Sequence, residues 1–433
     1  MLESLRPELL PADLGAVGPS DRAATWADWV AQRDQAVRAR LERGDRDSIV
    51  NFLIFGSSFT KRPRASGDDF AALAEQPSRV SPLLKGRADD LAAAVASPGG
   101  NERLQIARAM LLGLGIDPSS IEGRARAVEY LIAALQRAPG ELTTYAQEVA
   151  ASPAAGGVGQ MLTAHTAFRD RGLSSDTSIV VNAALDRAFV AMKARGAFGS
   201  AGVRRVAIVG PGLDFTDKHD GHDFYPIQTI QPFAVLDSLV RHDLARLDAL
   251  NLTALDVSPR ILRHIEGARQ RAAAGQGYVV NLPRNMRVPW GPALAAFWDG
   301  FGRRIGTPAA GAPIPKGVGQ VRVQSTRVRP SVVRAIDPQD VNIVFQRIEL
   351  PPEGRFDLIV ATDVLVYYDV FEQSLALANI ASMLRPGGLL VTNNQIFELP
   401  ALPMDAAGSI DVVHMTMPIV GDIRDRVIWY RRR

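Results

Sequence analysis

The chain carries two different patterns of hydrophobic and polar residues, which meet near residue 200. Before this point apolar residues recur at helical spacing, typical of amphipathic helices, as in Ala125, Val128, Leu131, Ile132 and Leu135. The same spacing recurs in residues 24–41, 83–96, 104–114 and 159–168. The breaks between these segments are short and rich in Pro, Gly, Ser and Asp. We therefore predict an all-α N-terminal domain over residues 1–176.

Local signals refine this helical prediction. Ser119 and Glu122 stand at capping-box spacing and predict a helix start, whereas Pro139-Gly140 predicts its end. The apolar run at residues 50–55 is predicted to be buried. His165 is a lone histidine on a mixed helix, for which we predict a structural role rather than a ligand role.

After residue 200 short apolar runs alternate with amphipathic helices, which predicts a parallel sheet covered by helices on both faces. The runs are residues 206–209, 252–255, 341–345, 356–360 and 389–392. Ser258-Pro259 is predicted to begin one of the helices. Residues 411–417 and 426–430 alternate polar and apolar, with only Val420-Gly421-Asp422 near the turn. They must pair antiparallel, because no crossover helix fits between them.

The composition narrows the function classes. The chain has 433 residues, of which 47% are hydrophobic and 22% charged, so it is not predicted to be disordered. It has no cysteine, which excludes disulfides, a thiolate nucleophile, Cys-ligated zinc and cysteine-held iron–sulfur clusters. No apolar run reaches 18 residues, and acids and prolines occupy the first 30. We therefore expect a cytoplasmic protein with no membrane partner.

Charge does not indicate a nucleic-acid partner. The net charge is +3, and only five of the 49 basic residues are lysines. The arginines are scattered along the chain rather than clustered as a nucleic-acid surface requires. The one tight run, residues 431–433, is predicted to be a solvated tail.

The first two predicted strands carry a candidate cofactor site. Gly210-Pro211-Gly212 ends the first strand, and Asp256 ends the second. In an open α/β sheet, ligands bind outside the carboxyl ends of the strands. The glycines have no side chains, so a ligand can approach their backbone. A carboxylate can accept hydrogen bonds from both hydroxyls of a ribose. The pattern predicts a nucleoside-cofactor site; the alternative is a tight turn with Asp256 capping the next helix.

Two cofactor classes compete for this site. A dinucleotide fold needs Gly-x-Gly-x-x-Gly and an acid about 20 residues later. Here Phe215 stands in place of the third glycine, Asp214 would repel a pyrophosphate, and Asp256 comes much later. A zwitterionic or cationic cofactor fits better, and an NAD(P)-dependent oxidoreductase is kept as an alternative.

Four motifs resemble, in order, those of class I S-adenosylmethionine-dependent methyltransferases: VAIVGPGLDF, TALDVSP, FDLIVATDVLVYYD and LRPGGLLVTNN. The resemblance covers residues from about 200 to the end. It implies a Rossmann-like domain, residues 177–433, with a seven-stranded, mostly parallel sheet and a C-terminal antiparallel hairpin. The third motif also resembles that of chemotaxis receptor methyltransferases, but their receptor-docking insert has no counterpart here, so their substrate is not carried over.

The resemblance also implies roles for single residues. Gly210 and Gly212 would pass the methionine part of the cofactor, with Pro211 and Asp214 in the same turn. Further contacts are implied for Asp256 (ribose), Val257 (adenine), and Thr362 and Asp363 (methionine amino group and methyl-transfer point). After the predicted strand at 341–345 the family often has an acid near the adenine amine. This chain has Gln346 and Arg347 there, of which Gln346 can offer its carbonyl oxygen.

The loop after Gly212 is long, polar and aromatic, and it supplies the candidate catalytic residues. His219 and His222 have ordinary pKa values near neutrality, which suits a general base. Tyr225 and Tyr368 are candidates for orienting the acceptor, although Tyr368 can equally be buried packing. The alternatives are a loop closed by its own turns and salt bridges, or a metal site; the His and Asp spacing fits no known metal cage, so no metal is predicted. A helix is expected to follow from about Pro226.

A second departure from the family is an insert at about residues 281–340, rich in Pro, Gly and Arg. It carries Trp290, Phe297, Trp298 and Phe301, and either caps the substrate or packs against the helical domain. We expect an S-adenosylmethionine-dependent methyltransferase acting on a small-molecule acceptor. A non-catalytic S-adenosylmethionine-binding or scaffold protein is the first alternative, and the NAD(P)-dependent oxidoreductase is the second.

Overall fold

The computed structural model describes most of the chain. The described residues are 10–65, 69, 73, 75–76, 80–151, 172–173, 177, 179–200, 202–216, 221–316, 318–396, 402–417 and 421–433. The predicted helix at 159–168 and His165 lie outside them.

The helices and strands follow the two predicted patterns. The helices are α1 (Ala12–Gly15), α2 (Pro19–Phe55), α3 (Pro82–Ala96), α4 (Glu102–Gly113), α5 (Ile121–Ala151), α6 (Ile179–Ala194), α7 (Gln231–Arg241), α8 (Pro259–Ala273), α9 (Pro292–Gly300), α10 (Pro330–Arg334) and α11 (Val370–Met383). The strands are β1 (Arg205–Val209), β2 (Asn251–Asp256), β3 (Tyr278–Asn285), β4 (Gly306–Pro308), β5 (Val321–Val328), β6 (Ile336–Asp340), β7 (Phe356–Val360), β8 (Leu384–Thr392), β9 (Met404–Met417) and β10 (Gly421–Arg432).

Helix α2 is the longest element, with 37 residues. It joins the predicted helix at 24–41 to the apolar run at 50–55, whose burial is confirmed because Phe52 and Leu53 are fully enclosed. Trp29 belongs to the apolar core on one side of the main sheet, and Phe52 to the core on the other side. The helix therefore packs against the apolar cores on both sides of the main sheet.

Helix α5 differs from its prediction at both ends. The hydroxyl of Ser120, not Ser119, accepts the hydrogen bond from the Gly123 N–H, at 2.9 Å. Ser119 instead contacts Asp117. The predicted end at Pro139-Gly140 is wrong, because the helix continues to Ala151. A proline removes one backbone hydrogen bond from a helix without necessarily ending it.

The predicted seven-stranded, mostly parallel sheet is confirmed, with the strand order β6-β2-β1-β7-β8-β10-β9. Strands β6, β2, β1, β7 and β8 are parallel, whereas β10 pairs antiparallel with both β8 and β9. The sheet is therefore Rossmann-like and closes with the expected antiparallel hairpin.

One strand was placed wrongly. The edge strand next to β2 is β6, in which Asp340 pairs with Asp256, and not the run at 341–345. Pro338 makes residues 336–340 look unlike a strand, because proline has no N–H to donate to the hydrogen bonds of a sheet. An edge strand tolerates it. The last five residues of the predicted insert thus belong to the main sheet.

The rest of the insert forms a second sheet of three antiparallel strands, in the order β3-β5-β4. Its helix α9 packs on α6 and β9. The Gly291 N–H donates to the His414 carbonyl of the hairpin at 2.6 Å, and Trp298 Nε1 donates to the Leu282 carbonyl at 2.9 Å. These contacts favour packing over capping, although the insert is held by the hairpin and α6 rather than by the helices of residues 1–176. No described helix has the length and apolar character needed to cross a membrane.

Candidate cofactor site

The strand order creates a crevice at the carboxyl edge of the main sheet. The chain runs from β1 outwards to β2 and β6, and then returns to the other side of β1 with β7 and β8. Neighbouring loops at such a switch point diverge and leave room for a ligand. The candidate residues Gly210, Gly212, Asp256 and Thr362 all follow or end strands at this edge.

The glycine turn has a backbone that other residues adopt poorly. Gly210 and Gly212 both have φ of +67°, in the left-handed region that favours glycine. A Cβ atom on Gly210 would lie 2.7 Å from Cγ2 of Val364. Pro211 and Gly212 are buried. The turn therefore brings bare backbone to the switch point, as the motif predicts.

Asp256 is buried beside this turn, with 7% of its surface exposed. One carboxylate oxygen accepts a hydrogen bond of 2.8 Å from the Ser258 N–H at the start of α8. Burial raises the pKa of Asp256 to about 7, and the negative charge of Asp340 acts in the same direction. Asp256 therefore closes the turn that leads into α8, whose N-cap is Ser258 and has no side-chain cap hydrogen bond. This contact is compatible with ribose binding because a carboxylate accepts several hydrogen bonds.

The end of β6 contributes residues that the sequence analysis missed. Asn342 is fully buried, and its Nδ2 donates to Asp34 of α2 at 2.7 Å. Gln346 and Arg347, predicted as adenine contacts, are exposed. Gln346 Oε1 accepts from the Asn342 N–H at 2.9 Å. Arg347 forms an ion pair of 2.9 Å with the exposed carboxylate at position 349. Gln346 and Arg347 follow the predicted strand at 341–345. Because the strand ends at Asp340 instead, Val341 and Asn342 are the residues that follow it.

Two predicted residues lie at the end of β7. Thr362 is buried, and its hydroxyl accepts a hydrogen bond of 2.8 Å from Nε2 of Gln231, the first residue of α7. Asp363 is exposed and has φ of +56°, which is strained for a residue other than glycine. Asn393 holds it through bonds of 2.9 Å to its N–H and 2.6 Å to its carboxylate. The structure thus fixes a strained backbone at the expected methyl-transfer point.

Helix α2 runs along this whole edge. Near its middle, Arg38 contacts Asp340 and the carbonyl of Val257. Arg40 is buried, and its positive charge opposes the rise in the pKa of the Tyr368 hydroxyl that burial causes. Seventeen residues beyond Asp34, Asn51 donates to Thr216 of the loop after the glycine turn, at 2.9 Å. At 1.5 Å per residue these contacts span about 25 Å, so one helix covers the edge from β6 to that loop.

The loop after the glycine turn is anchored by its own buried side chains. Asp214 is 2% exposed, and its Oδ2 accepts from the Tyr225 hydroxyl and from Gln228 Nε2, both at 2.9 Å. Tyr225 is 1% exposed, so its hydroxyl serves this contact. The helix expected from about Pro226 begins only at Gln231, because Asp214 and Gln228 form a β-bridge that keeps the chain extended.

The same loop docks on the helical region. Asp223 accepts hydrogen bonds from the N–H and hydroxyl of Ser57 and from the N–H of Ser58, at 2.6 to 2.9 Å. Arg103 of α4 donates to the carbonyls of Phe215 and Tyr225. The described part of the loop is therefore held both by the helical region and by its internal Asp214 contacts.

The candidate base positions are only partly described. His222 is buried, with its ring centroid 5.5 Å from that of Phe224, and His219 lies outside the described residues. Tyr368 is buried on the sheet side of α2, and burial raises the pKa of its hydroxyl. The described residues contain no group of three His, Asp or Glu that could hold a metal ion.

Comparison with known proteins gives no match to a family model and none to a curated protein. Among solved structures, the chain is similar to the N-methyltransferase NodS from Bradyrhizobium japonicum WM9 in complex with S-adenosyl-L-homocysteine. The identity is 16% over 57% of this chain and 86% of that chain, and the TM-score is 0.28.

Two further solved structures are similar at the same level. Magnesium protoporphyrin IX methyltransferase ChlM from Synechocystis PCC 6803 with bound SAM shares 9% identity over 67% of this chain and 91% of its own, with a TM-score of 0.28. The mitomycin 7-O-methyltransferase MmcR shares 14% over 96% and 100%, with a TM-score of 0.30. At scores this low, the similarity assigns no residue roles in this chain.

Proposed function

We propose that the protein is a class I S-adenosylmethionine-dependent methyltransferase acting on a small-molecule acceptor. The observation that carries the proposal is the arrangement at the switch point. A glycine turn with two left-handed glycines, Gly210 and Gly212, ends β1, and a buried carboxylate, Asp256, ends the adjacent β2. Bare backbone beside a carboxylate suits the methionine and ribose parts of one nucleoside cofactor.

The residues present fit this cofactor. The left-handed φ angles of Gly210 and Gly212 keep the turn free of side chains, so its backbone can approach the methionine part of the cofactor. Asp256 is a hydrogen-bond acceptor for the two ribose hydroxyls, and Val257 and Asn342 lie on the same side, towards β6. In this proposal Thr362 and Asp363, at the end of β7, lie on the methionine side.

A dinucleotide fits less well. Dinucleotide folds place a helix N-terminus directly after the glycine turn, where it holds the pyrophosphate. Here α7 begins only at Gln231, and the buried carboxylate of Asp214 follows the turn instead. This arrangement disfavours the oxidoreductase alternative.

The chemistry needs little beyond positioning. When bound, S-adenosylmethionine supplies an activated methyl group on a positively charged sulfur. The chain's own residues would orient the donor through Gly212 and Asp256, exclude water beneath α2, and hold the acceptor in line with the methyl group. A base is needed only for an acceptor that carries a proton; His219 and His222 remain our candidates.

Calorimetry with S-adenosylmethionine, S-adenosylhomocysteine, NAD and NADP tests the cofactor. We expect the first two to bind and the nicotinamide cofactors to give no heat. Asp256→Ala should weaken binding by about 1.5–3 kcal/mol, because two charge-assisted hydrogen bonds are lost. Asp337→Ala is the matched control, since Asp337 lies half-buried on the neighbouring strand β6. Equal affinity in the Asp256 variant would refute its assignment.

Enzyme and scaffold are separated by turnover. Small molecules carried through purification can be identified by mass spectrometry and offered back as acceptors with S-adenosylmethionine. Formation of S-adenosylhomocysteine together with an acceptor heavier by one methylene unit supports the enzyme. Tight cofactor binding with no methyl loss to any acceptor would support the scaffold alternative instead.

A further inference from the structure

A cavity of about 720 Å³ lies between α4 of the helical region and α8, within the usual size range of small-molecule sites. Ile106 and Ala109 line it from α4, together with Leu213 and Val279. These side chains give the cavity an apolar wall. Leu213 directly follows Gly212, so the cavity adjoins the glycine turn.

The other wall is cationic. Arg263 and Arg271 lie on the cavity side of α8, about 12 Å apart along the helix axis at 1.5 Å per residue. Within the described part of the chain, neither guanidinium has an ion pair or a side-chain hydrogen bond. Arg260, also in the lining, is already neutralised by Asp45 of α2 through contacts of 2.6 and 2.8 Å. Glu102 is the one carboxylate among the lining residues.

A polar pair, buried Tyr278 and half-buried His264, completes the lining. The Tyr278 hydroxyl accepts from the Thr229 N–H at 2.8 Å and lies 2.7 Å from His264 Nε2. Burial, and the charge of Arg271, lower the pKa of His264 to about 4. His264 is therefore neutral at physiological pH, and the positive charge of the cavity comes from its arginines.

We propose that this cavity binds an organic anion: a ligand whose carboxylate, sulfonate or phosphate is held by Arg263 and Arg271, and whose apolar body packs on Ile106 and Ala109. Arg263 and Arg271 are exposed and have no ion pair among the described residues. Two such guanidinium groups beside an apolar lining are complementary to an amphipathic anion and to neither a cation nor a wholly polar solute. The inference does not depend on methyl transfer, because none of these residues belongs to the cofactor site proposed above.

The test uses two fluorescent probes of nearly equal shape. 1-Anilinonaphthalene-8-sulfonate carries the anionic group, and N-phenyl-1-naphthylamine lacks it. Both are titrated into the full-length protein and into three variants. Arg263→Gln/Arg271→Gln removes the cationic wall, and Ala109→Trp fills the cavity from an exposed helix position. Arg246→Gln, at a remote residue with an 82% exposed side chain, is the charge control. Circular dichroism confirms that each variant is folded.

We expect one sulfonate site, weakened about tenfold or more in both cavity variants and unchanged in Arg246→Gln. Tenfold corresponds to about 1.4 kcal/mol. The neutral probe should bind more weakly than the sulfonate and should be insensitive to Arg263→Gln/Arg271→Gln. Equal binding of the two probes, or undiminished sulfonate binding in either cavity variant, would overturn the proposal.

Discussion

The guanidinium of Arg38 on α2 lies 2.9 Å from one carboxylate oxygen of Asp340 and 3.3 Å from the other. Asp340 is the strand partner of Asp256, the residue that we assign to the cofactor ribose. The ion pair therefore ties the helical region to the nucleoside end of the proposed site. If the cofactor lies there, this ion pair is one of the contacts that hold α2 beside it.

Loss of this ion pair should speed cofactor release. In Arg38→Met, we expect the dissociation rate of S-adenosylhomocysteine to rise several-fold, because α2 loses one tether to the cofactor edge. The free energy of unfolding should change by less than about 1 kcal/mol, since the pair is partly exposed. Stopped-flow fluorescence and thermal denaturation measure the two quantities.

Arg33→Met serves as the control, because Arg33 lies on the same helix and pairs with Asp13 at 3.0 Å, with no contact to Asp340. Its release rate should match that of the unaltered protein. If the Arg38 and Arg33 variants release the cofactor product equally fast, α2 does not gate the site through Arg38.

Cofactor binding should depend on pH through Asp256, whose pKa is raised to about 7 by burial. The ionised carboxylate is the better acceptor for two hydroxyl donors, so affinity should fall as pH decreases below 7. The limiting slope is about tenfold per pH unit if only the ionised form binds. Calorimetry with S-adenosylhomocysteine between pH 5.5 and 8.5 measures this slope, which should be absent in Asp256→Asn.

The same group affects folding stability without ligand. In the unfolded chain an aspartate titrates near its ordinary pKa of about 3.9, so between about pH 4 and 7 unfolding releases a proton from Asp256. Its contribution to the free energy of unfolding therefore falls as pH rises through this window, by at most about 1.4 kcal/mol per unit, and is constant above it. Urea denaturation of Asp256→Asn should lack this component. Parallel pH profiles of the two proteins would contradict a buried, protonated Asp256.

The sequence predicts those helices and strands whose signals lie in residues close together along the chain. The run at 206–209, the acid at 256 and the C-terminal hairpin have short-range signals, and all are found where expected. Strand β6 was missed because Pro338 breaks its pattern, and its place at the sheet edge makes that proline acceptable.

Local patterns of this kind could not predict the long-range contacts at the site. An amphipathic helix shows which of its faces is apolar but not which surface it covers. Nothing near Asp34 or Arg38 indicates partners about 300 residues away at Asn342 and Asp340. Likewise, a tyrosine in this polar loop is a reasonable candidate for binding the acceptor. Only the fold reveals that the Tyr225 hydroxyl donates to Asp214.

The docking of the loop on the helical region should be essential for its shape. In Asp223→Ala, three hydrogen-bond donors from Ser57 and Ser58 lose their acceptor. We expect the free energy of unfolding to fall by about 2–4 kcal/mol, and the cofactor-dependent turnover to fall further than the folded fraction explains. Asp248→Ala, at an exposed aspartate, should change neither. An Asp223 variant with normal turnover would show that the loop needs no anchor on the helical region.

His219 and His222 are the candidates for the catalytic base. Histidine suits proton removal near neutral pH, and both candidates lie on the loop that follows the glycine turn. His222 is enclosed, so it can act only on an acceptor held inside the protein. If one of the two is the base, His222→Asn or His219→Asn should lower turnover by about 10²–10⁴-fold and leave cofactor affinity unchanged.

The pH profile separates a base from a packing residue. A catalytic histidine makes the rate fall below its pKa, ordinarily about 6.5, as the imidazole protonates. In the Asn variant of a catalytic histidine, the activity that remains should no longer fall at low pH. A histidine that only packs would instead lower stability and leave the profile of the remaining activity unchanged. If both single variants keep full turnover with a flat profile, the reaction uses no histidine, and an acceptor already deprotonated in solution becomes the better hypothesis.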